Sequence, residues 1–154
     1  MPKKRNIKNR ERRICGFMMA SKDETFTKLM TTLGLPQIVN VESEVRADVT
    51  GKTQIKMEFS GELEDGRSFA IEYQVGKANL DHAKALVYPL IASNNLGIWI
   101  ATDFPEYLKV AVKDLNAAYR GRCTFYLVKA SHITAIEAVE MERQVKGMEF
   151  QIVC

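Results

Sequence analysis

The chain has 154 residues, 46% hydrophobic and 27% charged, with 9 Gly and 4 Pro. That size and balance suit one globular domain and exclude disordered, collagen-like and disulfide-scaffold classes. No apolar run approaches the roughly 18–20 residues of a membrane helix. Cys15, Cys123 and Cys154 are too scattered for bridges or a CxxC zinc site, so a reducing, cytoplasmic setting is expected.

The net charge of +3 is uneven. Residues 1–13 hold seven basic side chains (Lys3, Lys4, Arg5, Lys8, Arg10, Arg12, Arg13) and one acidic, so they carry +6 and the rest of the chain −3. Residues 1–17 read as a flexible basic tail ahead of a single domain over 18–154. The tail suits phosphate contacts with DNA, or serves only as a solubilising arm. The apolar stretch after it, ICGFMMA, is seven residues long and runs straight into Ser21-Lys22-Asp23-Glu24, a weak match to a signal peptide. Met18 and Met19 offer an alternative start of translation.

Ser21–Glu24 is a capping box, with Phe26, Leu29, Met30 and Leu33 at helical spacing behind it. Gly34 and Pro36 end that helix. A strand is expected over 37–45, and Lys56–Ser60 and Ser68–Val75 alternate apolar and polar residues around the turn Glu64-Asp65-Gly66-Arg67, which predicts a hairpin. Residues 79–93 read as a helix with Leu86, Val87, Leu90 and Ile91 inward and a kink at Pro89. Leu96–Ala101 is a buried strand, 104–119 a helix with Pro105 in its first turn, and Cys123–Val128 a second buried strand. Residues 131–143 fit helix or strand, and 149–153 a closing strand. The fold class is α/β, a mixed sheet with an antiparallel hairpin flanked by helices.

Chemistry concentrates on the hairpin. With Ile71, Tyr73 and Val75 on one face, Glu72 and Gln74 share the other with Ala70. Met57 and Phe59 are expected on the apolar face, which turns Glu58 toward Glu72, fourteen residues on. Two carboxylates on neighbouring strands make a hard, oxygen-rich site for Mg²⁺ or Mn²⁺, or are simply the wet face of an antiparallel sheet. With only His82 and His132 in the chain, a metal must rest on carboxylates.

The stretch Ile71-Glu72-Tyr73-Gln74-Val75-Gly76-Lys77-Ala78-Asn79-Leu80-Asp81-His82 is similar to the I-E-N-Q-L-E-K-T-D-H-D-H signature of an uncharacterised bacterial and archaeal family. That family is grouped with the PD-(D/E)XK restriction-endonuclease-like superfamily. Val41–Arg46 (VESEVR), Leu86, Tyr88, Ile98–Ala101 and Leu115-Asn116 extend the likeness over roughly residues 37–153. The resemblance implies a restriction-endonuclease-like core. It puts Glu58 and Glu72 in the metal-binding positions, Gln74 in the place of the superfamily lysine, and Lys77 on the family's lysine. Asp48 is the alternative to Glu58, with a less suitable spacing. Ala85 stands where the family has Gln, and Lys84 where it has a small residue. Asp81 suits a helix N-terminus, His82 packing of the turn, and Glu42 or Glu44 the edge of the site.

The resemblance thus implies a metal-dependent DNA endonuclease hydrolysing phosphodiester bonds, with Glu58, Glu72, Gln74 and Lys77 catalytic and Mg or Mn as cofactor. The alternative is a catalytically inactive module on the same scaffold, binding nucleic acid or a protein. A two-fold homodimer is the default assembly for such a domain, and no membrane contact is expected.

Overall fold

The structure, a computed structural model, describes residues 4–48 and 54–154. Lys3 lies outside the described residues, as do the side chains of Lys4, Arg5 and Asp48. Among the described residues no helix is long and apolar enough to cross a membrane.

Helix α1 spans Lys4–Ala20 and α2 spans Lys22–Leu33. The expected flexible tail is therefore largely helical, and one face of it belongs to the core. Ile14 and Met18, one turn apart, are fully buried, and Cys15 nearly so. Because α1 runs directly into α2, Ser21 does not cap. Its hydroxyl donates back to the Phe17 carbonyl at 2.8 Å. Gly34 closes α2 as expected, at φ 68°, a left-handed conformation that costs glycine little.

The strands are β1 (Ile38–Asp48), β2 (Gln54–Leu63), β3 (Ser68–Tyr73), β4 (Leu96–Ala101), β5 (Thr124–Ala130) and β6 (Phe150–Ile152). They form one six-stranded sheet in sequential order. Pairing is antiparallel for β1–β2, β2–β3 and β5–β6, and parallel for β3–β4 and β4–β5. The mixed sheet and its hairpin are as expected. Gly66, at φ 87°, supplies the turn between β2 and β3.

Two apolar layers sandwich the sheet. Alternate residues Phe69, Ile71, Tyr73, Ile98 and Ile100 pack with Ile14, Met18, Phe26, Leu29 and Met141 beneath α1, α2 and α5 (Ala138–Lys146). On the opposite face Trp99, Ala101, Phe125 and Leu127 pack with Ala85, Leu108 and Val112 of α3 (Lys84–Ile91) and α4 (Glu106–Ala118). This inside-both-faces burial explains why β4 is apolar throughout. Asn116 ties α4 to the sheet, accepting from Phe125 N–H at 2.7 Å and donating to its carbonyl at 3.0 Å.

The segment after β3 departs from expectation. A 3₁₀ turn over Leu80–His82 precedes α3, which starts only at Lys84. Ala85, Tyr88 and Pro89 are the buried side of α3, whereas Val87 and Ile91 face solvent, 44% and 38% exposed. Pro89 explains the phase. It presses so close to β4 that a β-carbon on Gly97 would stand 2.8 Å from its ring. Pro105 precedes α4 as its cap residue rather than lying in its first turn.

Candidate functional site

Pairing of Phe59 with Ile71 and Ser60 with Ala70, carried on by one residue, sets Glu58 opposite Glu72. Here the sheet is irregular. Glu44, facing this stretch from β1 between the Ser43–Phe59 and Val45–Met57 pairs, has a left-handed φ of 54°, unusual for a residue with a side chain. On β2, Met57 stands apart from the layer that holds Phe59 and packs with Ala70 and Tyr88. The expectation that Met57 and Phe59 share a face fails, yet Glu58 still turns into the cleft.

Glu72 is fully buried, and among the described residues neither of its carboxylate oxygens has a hydrogen-bond partner. Among the described residues its ion-pair partner is Lys84 of α3, whose Nζ lies 3.7 Å from Oε2. Burial pushes the Glu72 carboxyl well above the usual carboxylate range, and the negative charge of Glu58 pushes it the same way. Burial also raises the half-buried Glu58, against the opposing pull of Lys84. The Cys15 thiol lines the same cleft and is itself raised, by burial first and then by the charge of Glu58.

Above this pair lies a cleft of about 480 Å³. One wall is α1, through Lys8, Glu11, Arg12, Cys15, Gly16 and Met19. Ser43, Glu44, Lys56 and Glu58 of the hairpin sheet form the second, and Asp81, His82 and Lys84 the third. Glu11 fixes the wall in place. Its Oε1 accepts from Val75 N–H at 3.0 Å and lies 3.4 Å from His82 Nε2. Glu44 and Lys56 pair at the rim, 3.8 Å apart. Glu42 is exposed on β1.

Gln74 and Lys77 do not join this group. Gln74 is 1% exposed, and its amide accepts from Trp99 Nε1 at 3.2 Å while donating to the Lys77 carbonyl at 3.1 Å. A lysine at that position has no acceptor for the indole N–H, so Trp99 accounts for glutamine there. Lys77 is exposed and forms a backbone bridge with Asp103, whose carboxyl is held low by the Phe104 backbone first and then by Lys129, 3.6 Å away, ahead of Lys77. The cation that meets the carboxylates is Lys84.

Of the expected DNA contacts, Lys8 and Arg12 line the cleft. Arg10 instead donates to the carbonyls of Ala135, at 2.8 Å, and Ile133, and so anchors α1 to the loop before α5. Arg13 is exposed. Sequence reasoning missed Glu11 and Cys15, since both sat in a segment read as tail. The helical spacing of Glu11, Cys15 and Met18 was the available signal.

Among the described residues, no three His, Cys, Asp or Glu side chains stand close enough together to hold one ion unaided. A cation at Glu58 and Glu72 would complete its shell with water and substrate oxygens, the usual arrangement for Mg²⁺. The unpartnered oxygens of Glu72 fit such an ion. In comparisons with known proteins, the sequence matches no family model and no curated protein.

Proposed function

We propose that the protein is a metal-dependent phosphodiester hydrolase acting on DNA, built on a restriction-endonuclease-like core. The observation that carries this reading is Glu72, a fully buried carboxyl whose oxygens have no hydrogen-bond partner among the described residues, set behind Glu58, which lines the cleft. Raised carboxyls next to a cleft are the kind of perturbed pair that functional sites hold. Glu58 and Glu72 would hold Mg²⁺ or Mn²⁺, which when bound supplies charge neutralisation at a phosphate and a water of lowered pKa.

The chain's own residues supply the rest. Lys84 balances Glu72 and presents an ammonium to a phosphate at the cleft floor, the part first expected of Lys77. Gln74 serves the scaffold. Bonded to Trp99 and to the Lys77 carbonyl, it fixes the turn that leads from β3 to Lys84. Glu11 holds α1 against Val75 and His82, which keeps the wall and its cations, Lys8 and Arg12, beside the pair.

One observation favours a second reading. Lys84 already stands 3.7 Å from Glu72, so the chain carries a cation where a metal would neutralise the pair, as a catalytically inactive nucleic-acid-binding module would. Digestion of plasmid and oligonucleotide DNA with Mn²⁺ or with EDTA separates the two. The hydrolase gives Mn²⁺-dependent cleavage that Glu72→Gln abolishes. Absence of Glu72-dependent cleavage overturns the hydrolase and leaves the binding module.

A further inference from the structure

The face that α1 turns to the cleft changes character along its length. Lys8, Glu11, Arg12, Cys15, Gly16 and Met19 follow one another at helical spacing on it. Glu11 is turned aside to Val75 and His82, which leaves Lys8 and Arg12 as the free charges this helix presents to the cleft among the described residues. Among the described residues neither has an ion-pair partner. The last turn offers bare backbone at Gly16 and the apolar side chain of Met19.

Gly16 is the informative residue. It sits inside a 17-residue helix, where glycine is among the poorest helix formers. Packing does not ask for it, because a β-carbon there would meet nothing within 4 Å. The space it leaves belongs to the cleft. Glycine with open space before it is what close approach of a ligand to the backbone requires.

The cleft is also small. Its volume of about 480 Å³ is on the scale of a small-molecule site, about 300–1,000 Å³, and does not take in the body of a duplex. Glu58 lines it, and Glu72 lies behind, wholly inaccessible from outside.

We propose that this cleft takes a single unpaired DNA strand laid along α1, its phosphates on Lys8 and Arg12 and a base against Gly16 and Met19. The combination of a cationic track with an apolar platform is the common means of holding single strands without reading their sequence. Aromatic rings commonly form that platform; here Met19 takes the place, its polarizable thioether making favourable contact with an aromatic ring. For its chemistry the inference rests on the hydrolase reading: cleavage then falls on single strands, flaps or frayed ends. Binding stands apart from it.

Fluorescence anisotropy in EDTA, at low salt, tests binding with hydrolysis silenced. The probes are a labelled oligothymidylate and the blunt duplex it forms with oligoadenylate. The single strand is expected to bind at least about tenfold more tightly than the duplex, the scale of one stacked base. Gly16→Leu, which fills the cleft with a good helix former, should remove most of that advantage, while Gly16→Ala keeps affinity within about twofold. A melt checks that both variants fold. If Gly16→Leu does not, the exposed Arg12→Glu replaces it, with weaker single-strand binding and a salt slope reduced by about one. Equal or tighter duplex binding, no binding of the single strand, or unaltered affinity in Gly16→Leu (or Arg12→Glu) overturns the proposal. Mn²⁺-dependent duplex cleavage alongside any of these would leave the hydrolase standing without it.

Discussion

Glu72→Gln should make the protein more stable at neutral pH in the presence of EDTA. The wild-type carboxyl is fully buried, has no hydrogen-bond partner, and is raised above its ordinary value of 4.5 by burial first and by Glu58 second. The folded state therefore holds this proton over a pH range in which the unfolded chain has released it. By linkage, its contribution to stability is complete below about pH 4.5 and declines as pH rises toward the folded titration point. The decline is about 1.4 kcal/mol per pH unit within that window. Glutamine is nearly isosteric with the protonated acid and does not titrate. The two proteins should melt alike at pH 4. The variant should then gain about 3–5 °C per pH unit, since 1 kcal/mol moves Tm by about 2–4 °C in a chain of this size. Lys84, a third exposed and 3.7 Å away, softens the slope without changing its sign. Paired melts from pH 4 to pH 8 measure the difference. A variant less stable than wild type at pH 8, or an offset that does not vary with pH, would refute the reasoning.

Trp99→Phe removes the N–H that Gln74 accepts and leaves a buried amide oxygen alone. It should cost about 1–3 kcal/mol, and pairing it with Gln74→Met should cost less than the two changes added together in a double-mutant cycle. Deleting residues 1–17 should abolish cooperative melting, because the deletion strips out fully buried Ile14 and the Glu11 and Arg10 anchors. A truncated chain that melts like wild type would show that α1 is dispensable.

The alternation of β3 placed Glu72, Gln74 and Ala70 on one face, and the turn at 64–67 set Glu58 in register with Glu72. Those features follow from period-two geometry and a local turn, which a sequence displays directly. Helix α1 was illegible because seven basic side chains mask a short apolar stripe. Burial of Ile14 and Met18 depends on a sheet that forms later in the chain. Gln74 pointed in the expected direction, but its partner Trp99 is 25 residues away and reaches it only through parallel pairing of β3 with β4. Lys84 rather than Lys77 meets the carboxylates because a 3₁₀ turn delays α3, a detail of loop geometry that spacing does not encode. The shift of Met57 comes with the left-handed backbone of Glu44, a residue whose type gives no hint of that conformation.

Calorimetric titration with Mn²⁺ addresses the carboxylate pair most directly. The wild-type protein should bind one Mn²⁺ per chain and release protons as it does so, since the raised carboxyls must ionise to serve as ligands. Glu72→Gln and Glu58→Gln should each lose that binding while keeping a cooperative melt. Absence of Mn²⁺ binding by the wild type, or binding that survives both substitutions, would contradict a divalent-ion site at Glu58 and Glu72.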